Sequence, residues 1–125
     1  MKPLAYIAGP YTAPTIEQRN ENIRKAREVA QRLWELGYAV ICPHSNTSNF
    51  ENECAVAYED YMQGCFAMIE RCHVLVLVDG WQNSAGSNRE VAWARENGIP
   101  IYDSECVPPA DEIQLDVTST VVSNQ

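Results

Sequence analysis

The chain has 125 residues, of which 46 % are hydrophobic, and its formal net charge is −8. This length suits one domain that needs no disulfide or metal to hold its core, and this hydrophobic content excludes a largely disordered chain. The negative charge argues against broad binding to DNA, RNA or anionic membranes, but it is compatible with one small phosphorylated ligand.

The N-terminal part predicts a strand followed by a long helix. Residues 4–8 are a short apolar run closed by Gly9, which is typical of a buried strand and a turn. Thr15 with Gln18 three residues later resembles a capping box. Apolar residues then recur at helical spacing until Gly37, which we expect to end the helix.

The middle of the chain predicts a second strand, a long loop and a second helix. The apolar run 38–42 is the strand, and the polar stretch 43–53 is typical of a functional loop. A helix over about residues 55–71 has one apolar side, although Gly64 inside it weakens the helical pattern.

The last elements surround a loop of small residues. Residues 73–78 are apolar on both faces, as in the centre of a parallel sheet. The loop 79–87 precedes a helix predicted over about 88–97. Residues 99–102 form the fourth strand, and Pro100 places this strand at an edge of the sheet.

Strands and helices therefore alternate, which predicts an α/β fold. We expect a single-domain Rossmann-like or flavodoxin-like three-layer sandwich with a four-stranded, or slightly larger, parallel sheet over residues 1–106. Residues 107–125 are expected to be a polar C-terminal tail. Ligands of such sheets bind beyond the carboxyl ends of the strands, where the loops 9–15, 43–49 and 79–90 meet.

The third of these loops carries the chemistry. Its small residues Ser84, Gly86 and Ser87 let a ligand approach the backbone, and the helix start favours an anion. The loop lacks both the GxxxxGK[ST] and the GxGxxG patterns, which argues against a P-loop triphosphatase and a dinucleotide dehydrogenase. Glu90 falls in the first turn of the predicted helix, where the dipole favours an ionised carboxylate. It is either a capping acid or a nucleophile for a sugar carbon.

Three segments together resemble a known family. They are Tyr-Ile-Ala-Gly-Pro-Tyr at 6–11, Cys-His-Val-Leu-Val-Leu-Val-Asp-Gly-Trp at 72–81, and Ser84-x-Gly86-x-x-x-Glu90-x-x-x-Ala94. In this order, each at the end of a strand, they are similar to the nucleoside 2-deoxyribosyltransferase superfamily, and most of all to its small phage and bacterial branch of the DUF4406 type. The resemblance covers about residues 4–102.

The resemblance implies cleavage of an N-glycosidic bond in a nucleoside or nucleoside 5′-monophosphate, by hydrolysis or deoxyribosyl transfer. Glu90 is then the nucleophile that attacks the anomeric carbon, and Tyr6 orients it. The loop residues Gly9, Pro10 and Tyr11 contact the sugar or the base. The branch that hydrolyses 5′-monophosphates has a serine and a glycine where this chain has Ser84 and Gly86, which favours a phosphorylated substrate.

Two positions depart from the family pattern, since Cys65 and His73 both stand where an aspartate is usual. Cys65 stands where an aspartate usually serves in proton transfer and sugar binding. A thiol with an ordinary pKa near 8.5 is a poor replacement for a carboxylate. Asp60, just over one turn earlier on the helix, is the alternative catalytic carboxylate if the helix is shifted. The departure leaves open a non-catalytic nucleotide-binding or sequestering protein, and a glycohydrolase of NAD-type dinucleotides is a third hypothesis.

Other residues near the strand ends have two interpretations each. His44 is a substrate contact or general acid, or else a solvent-exposed loop histidine. Asp79 either binds a sugar hydroxyl or has a structural role in the loop, for example as a cap. Trp81 stacks on a base, contacts another subunit or packs in the core, and Tyr11 is a candidate for base stacking.

The remaining expectations concern cofactors, partners and location. The five cysteines include no CxxC pair, and no metal or organic cofactor is expected. No signal peptide or membrane span is recognisable, so we expect a cytoplasmic protein, in the host cytoplasm if a phage encodes it. The family resemblance implies a homodimer or larger homo-oligomer. Tyr58, Tyr61 and Phe66 are expected to be exposed and to contact the neighbouring subunit.

Overall fold

Four parallel strands form the sheet of this protein. The computed structural model describes residues 1–46 and 54–115. The strands are β1 (Leu4–Ala8), β2 (Ala39–Ile41), β3 (Val74–Leu77) and β4 (Ile101–Asp103), in the spatial order β2-β1-β3-β4. The helices are α1 (Ile16–Glu35), the short α2 (Pro43–Asn46), α3 (Tyr58–Ile69) and α4 (Ala85–Glu96). This is the predicted flavodoxin-like α/β sandwich.

Alternation along the two central strands gives the sheet two apolar faces. Ala5 and Ile7 of β1 pack with α1, whereas Tyr6 and Ala8 pack with α3 and α4. Because side chains of a strand point alternately to opposite faces, the period-two register fixes this division. It directs the phenol ring of Tyr6 into the layer that contains α3 and α4.

Helix α1 begins and ends as its sequence predicts. The Thr15 side chain accepts a hydrogen bond from the Gln18 N–H at 3.1 Å, which satisfies one of the unpaired donors of the first turn. After the helix, Gly37 adopts a φ of +102°, a conformation that favours glycine. Burial of Ala26, Val29 and Leu33 against the sheet anchors the helix.

The predicted start of the third long helix is wrong by one turn. Helix α4 begins at Ala85 and not near Asn88, because Ser84 is its N-cap. The Ser84 hydroxyl accepts a hydrogen bond from the Ser87 N–H at 3.1 Å. The run of small residues is typical of a loop. A serine is, however, also a preferred N-cap residue, because its hydroxyl accepts a hydrogen bond from an N–H of the first helical turn.

Two predicted segments are only partly described. The first turn of the predicted 43–53 loop is helix α2, and residues 47–53 lie outside the described residues. In the predicted tail, Ala110 is buried, and its N–H donates to the Leu36 carbonyl at 2.9 Å. Ala110 belongs to the apolar cluster between α1 and the sheet, and Ile113 packs against that cluster. Residues 116–125 lie outside the described residues.

Gly9 allows the end of β1 to lie close to the end of β3. A Cβ at Gly9 would lie 2.6 Å from the Val78 Cβ, too close for two carbons. We expect Gly9→Ala to lower the free energy of unfolding by about 1–3 kcal/mol, because overpacking forces a backbone shift.

The matched control is Gly64→Ala in α3, where no atom lies within 4 Å of the added Cβ. The control should raise stability by about 0.5–1 kcal/mol. Urea unfolding checks both, and equal effects in the two variants would contradict this packing.

Candidate active site

A buried tyrosine and a buried glutamate form the centre of the site. The Tyr6 hydroxyl donates a hydrogen bond to Oε2 of Glu90 at 2.6 Å, and their exposed fractions are 0 % and 8 %. The register of β1 directs Tyr6 toward α4, and Glu90 shares the buried side of α4 with Val91 and Ala94. Two residues that are 84 positions apart in the sequence are thereby brought together, as the family resemblance implies for Tyr6 and Glu90.

Burial controls the acidity of Glu90. Loss of solvation raises its pKa to about 7, whereas hydrogen bonds from Tyr6 and Cys65 lower it. The expected ionisation by the helix dipole is therefore wrong. Because α4 begins at Ala85, Glu90 lies in the second turn, and the dipole effect falls off within the first. A carboxyl group that changes charge near neutral pH suits catalysis.

Cys65 joins this pair from α3. Its half-buried thiol interacts with both the Tyr6 hydroxyl and the Glu90 carboxyl group. Burial raises the pKa of Cys65 to about 11, and burial with the nearby Glu90 charge raises the pKa of Tyr6 well above its usual value. At neutral pH the cluster of Tyr6, Cys65 and Glu90, hereafter the Glu90 cluster, therefore has two proton donors and one ionisable carboxyl group.

Asp60 does not join the Glu90 cluster. It is exposed in the first turn of α3. Five residues correspond to a rotation of about 140° around a helix, so Asp60 and Cys65 face different directions. The shift of the helix that would have brought Asp60 inward is absent, and Cys65 occupies the position beside Glu90.

The start of α4 brings together the three residues of the predicted anion site, Ser84, Gly86 and Ser87. Ser84 orients the first turn as its cap, and Ser87 is 1 % exposed. The Ser87 hydroxyl has no hydrogen-bond partner among the described residues. At Gly86, a Cβ would lie 3.2 Å from the Tyr58 hydroxyl, so this tyrosine borders the helix start. A polar side chain without a partner, beside helix N–H groups, is suited to receive an anionic ligand.

His44 supports the turn after β1. Its Nε2 lies 2.9 Å from the Gly9 carbonyl and 3.0 Å from the Pro10 carbonyl. Since both partners are acceptors, Nε2 carries a proton. Burial lowers the pKa of His44, which favours the neutral ring. The histidine is buried, not solvent-exposed as one interpretation expected, and its contacts support the Gly9–Pro10 turn.

The other predicted contact residues lie around the same end of the sheet. The Tyr11 ring lies edge-on to His44, with 6.2 Å between centroids, and the Arg19 guanidinium lies 5.9 Å from the Tyr11 centroid. Asp79 is exposed at the end of β3. Trp81 is half-buried and packs against the apolar cluster under α3 and α4, which favours the packing interpretation.

The expected exposure of three aromatic residues is only partly correct. Tyr58 is 56 % exposed and Tyr61 is half-buried. Phe66 is buried, because its ring stacks on Trp93 with 4.7 Å between centroids. Phe66 therefore belongs to the core of this chain and is removed from the predicted subunit contact.

Sequence reasoning missed one contact beside the site. Arg89, the residue before the glutamate, forms two hydrogen bonds with Glu59 of α3. The two residues are 30 positions apart, and only the packing of α3 on α4 brings them together. Helical spacing within one element gives no signal for such a pair.

Residues 3–103 match the family described as "Domain of unknown function (DUF4406)". This chain belongs to that family. The membership agrees with the branch that the three sequence segments predict. No curated protein matches the sequence of this DUF4406 protein.

The fold of the DUF4406 protein is similar to that of a 2-deoxyribosyltransferase from the bacterium Bacillus psychrosaccharolyticus. The TM-score is 0.56 and the sequence identity is 19 %. The match covers 94 % of this chain and 80 % of the transferase. At this identity, the likeness shows a shared fold.

Two further observations concern metals and membranes. Within residues 1–46 and 54–115, no three His, Cys, Asp or Glu side chains converge as a set of metal ligands. In the same part of the DUF4406 protein, no helix combines the length and the apolar character that crossing a bilayer requires.

Proposed function

We propose that this protein cleaves the N-glycosidic bond of a nucleoside 5′-monophosphate, with Glu90 as the nucleophile. The buried hydrogen bond between Glu90 and Tyr6, a residue in the middle of the central strand β1, is the observation that carries the proposal. The site lies where ligands of doubly wound sheets bind. The likeness in fold to a 2-deoxyribosyltransferase supports the same class of bond as the target.

The first step transfers the sugar to the enzyme. Tyr6 holds Oε2 of Glu90, so we assign the attack on the anomeric carbon to Oε1. The bond between carbon and oxygen forms as the bond from that carbon to the base nitrogen breaks. The electron pair of the broken bond leaves with the base, which takes a proton from the Cys65 thiol. The products are a glycosyl ester of Glu90, a neutral base and a thiolate.

The second step returns the enzyme to its starting state. Water attacks the anomeric carbon, and the ester bond to Glu90 breaks. One proton of the water restores the Cys65 thiol, while the hydroxyl group remains on the sugar 5-phosphate. A second base in place of water would make the same reaction a transfer.

A panel of substrates tests this proposal. Each common nucleoside 5′-monophosphate and its nucleoside is incubated with the protein, and free base is measured by liquid chromatography. We expect base release from at least one nucleotide and none from the same nucleotide with Glu90→Gln. Equal release by this variant, or no release from any member of the panel, would overturn the proposal.

The nature of residue 65 gives a separate prediction. We expect Cys65→Asp to raise the rate of base release by about 10-fold or more at pH 6–7, because a carboxylic acid beside Glu90 protonates the leaving base better than a thiol with a pKa of about 11. Cys65→Ser is the control, because a serine is similar in size to cysteine and its hydroxyl is a far weaker acid than a carboxyl group. This variant should not gain activity. Equal rates in all three proteins would show that residue 65 does not donate this proton.

A second candidate function is nucleotide binding without turnover. The high pKa of Cys65 favours it, since a thiol of pKa about 11 is a weak acid for the leaving base. In that case nucleoside monophosphates raise the melting temperature of the protein while no base is released. The substrate panel, run beside thermal melts with the same compounds, separates binding from catalysis.

A further inference from the structure

A two-pronged ion pair joins α3 to α4 beside the site. Nη1 of Arg89 lies 3.0 Å from Oε1 of Glu59, and Nη2 lies 2.8 Å from Oε2. Each nitrogen thus donates to a different oxygen of one carboxylate. The two parallel N–H groups of the guanidinium, hereafter the Arg89 fork, can bind two oxygens of a phosphate group in the same way. Arginine is over-represented where proteins bind phosphate in this bidentate geometry.

Two aromatic rings hold the guanidinium in place. The Arg89 carbon Cζ lies 5.4 Å from the centroid of Phe66 and 6.0 Å from that of Tyr58. Phe66 is fixed in the core by its stacking on Trp93. A cation placed over such rings is stabilised where it stands, so the fork is oriented before any ligand arrives.

The same pair borders the start of α4. The Tyr58 hydroxyl interacts with Arg89 and also lies 3.2 Å from the point that a Cβ of Gly86 would occupy. On this turn, the Ser87 hydroxyl is 1 % exposed and lacks a partner among the described residues. Side chains of a helix lean toward its N-terminus, so the Ser87 side chain lies over the first turn of α4.

We propose that Arg89 binds the 5′-phosphate of the substrate and that Glu59 occupies the Arg89 fork when no substrate is bound. The inference rests on the proposed function and adds to it a specificity residue with a built-in competitor. A phosphate dianion carries more charge than the carboxylate it displaces, and it also meets the helix N–H groups and the Ser87 hydroxyl. In a chain of net charge −8, a local cation of this kind compensates the general repulsion of a nucleotide.

The ion pair is accessible to such an exchange. The side chains of Arg89 and Glu59 are 38 % and 57 % exposed, so both remain in contact with water. Hydrogen bonds from Arg89 and Gln63 lower the pKa of Glu59 to about 2, and the carboxylate is therefore charged at every pH of interest. Glu59 competes as a fixed anion and not through titration.

The test measures binding and not turnover. Titration calorimetry with the four 2′-deoxynucleoside 5′-monophosphates, and with the matching nucleosides, gives the affinity of each protein. We expect Arg89→Gln to weaken binding of the nucleotide by about 10-fold or more, since two charge-assisted hydrogen bonds are lost, while nucleoside binding changes less than about 2-fold. Arg89→Lys, which keeps the charge and loses the fork, should recover only part of the affinity.

Glu59→Gln gives the opposite expectation. Loss of the competing carboxylate should tighten nucleotide binding by about 3- to 10-fold and leave nucleoside binding unchanged. The control is Glu28→Gln, which alters charge equally in the ion pair with Arg24 on α1. This control should bind both ligands as the unchanged protein does.

The outcomes separate this inference from the proposed function. If Arg89→Gln and Glu59→Gln bind nucleotides as the unchanged protein does, the phosphate role of Arg89 is wrong, and the reaction at Glu90 stands. If both variants change binding as expected but no base is ever released, the phosphate role of Arg89 is confirmed and the proposed reaction at Glu90 is wrong. If no nucleotide binds to the unchanged protein, both are wrong.

Discussion

We expect Glu90→Gln to abolish base release and yet to make the protein more stable at pH 8. The activity should fall by about 10³-fold or more, because an amide oxygen cannot form the glycosyl ester. The stability should rise because the buried carboxylate is costly once it is charged. Its pKa in the folded protein is about 7, above the ordinary value of 4.5.

The sign and size of the stability gain follow from this shift. Between pH 4.5 and 7 the folded state holds a proton that the unfolded state has lost, so stability falls as pH rises through this window. Above it the penalty is complete and amounts to about 1–3 kcal/mol, taking about 1.4 kcal/mol for each pKa unit as an upper bound. Glutamine removes the penalty and still accepts the hydrogen bond from Tyr6.

Urea unfolding at pH 8 and pH 4.5 checks this expectation. The gain in unfolding free energy should be present at pH 8 and should shrink toward zero at pH 4.5. Glu96→Gln is the matched control, since Glu96 is an exposed acid on the same helix. A variant that loses stability at pH 8, or whose gain does not depend on pH, would contradict the buried-acid description of Glu90.

The second large effect is a pH profile that moves with Tyr6. Base release should rise about tenfold for each pH unit below the midpoint and reach a plateau above about pH 7, because only the ionised carboxylate attacks. The Tyr6 hydrogen bond lowers the pKa of Glu90. Tyr6→Phe removes it, so the midpoint should move to higher pH, and the plateau rate should fall by about 10- to 100-fold.

The control for Tyr6→Phe is another buried tyrosine. The Tyr38 hydroxyl donates to the Pro108 carbonyl at 2.7 Å, in the apolar cluster on the opposite face of the sheet. Tyr38→Phe should cost stability without moving the midpoint of the rate profile. Initial rates from pH 5 to 9 give both midpoints. An unchanged midpoint in Tyr6→Phe would mean that Tyr6 does not tune the nucleophile.

Local pattern was enough to predict the architecture, whereas the pairing of Tyr6 with Glu90 was predicted only by the family resemblance. Alternation in β1 predicts that Tyr6 and Ile7 face opposite sides, and the order of elements predicts a parallel sheet with its loops at one end. The cap at Thr15 is likewise a signal within four residues. The family resemblance then singled out Glu90 among the acidic residues of the chain.

Properties that depend on tertiary packing were not predictable. The pKa of Glu90 was expected to be low on the strength of the dipole, but the depth of burial, which only the packed structure gives, dominates it. Likewise, the Arg89–Glu59 pair exists because α3 packs on α4, and Phe66 is buried for the same reason. The error in the predicted start of α4 had a different origin. The N-cap Ser84 is a local signal, but the small residues around it are equally typical of a loop.

Covalent trapping of the sugar is the direct test of Glu90 as the nucleophile. The protein is incubated with nucleoside 5′-monophosphates that carry fluorine at C2′, which destabilises the oxocarbenium-like transition states and so prolongs the life of a glycosyl ester once it has formed. Digestion and mass spectrometry then locate any added sugar phosphate. We expect the added mass on the peptide that contains Glu90 and its absence in Glu90→Gln. Base release without an adduct at Glu90, or an adduct on another residue, would contradict it.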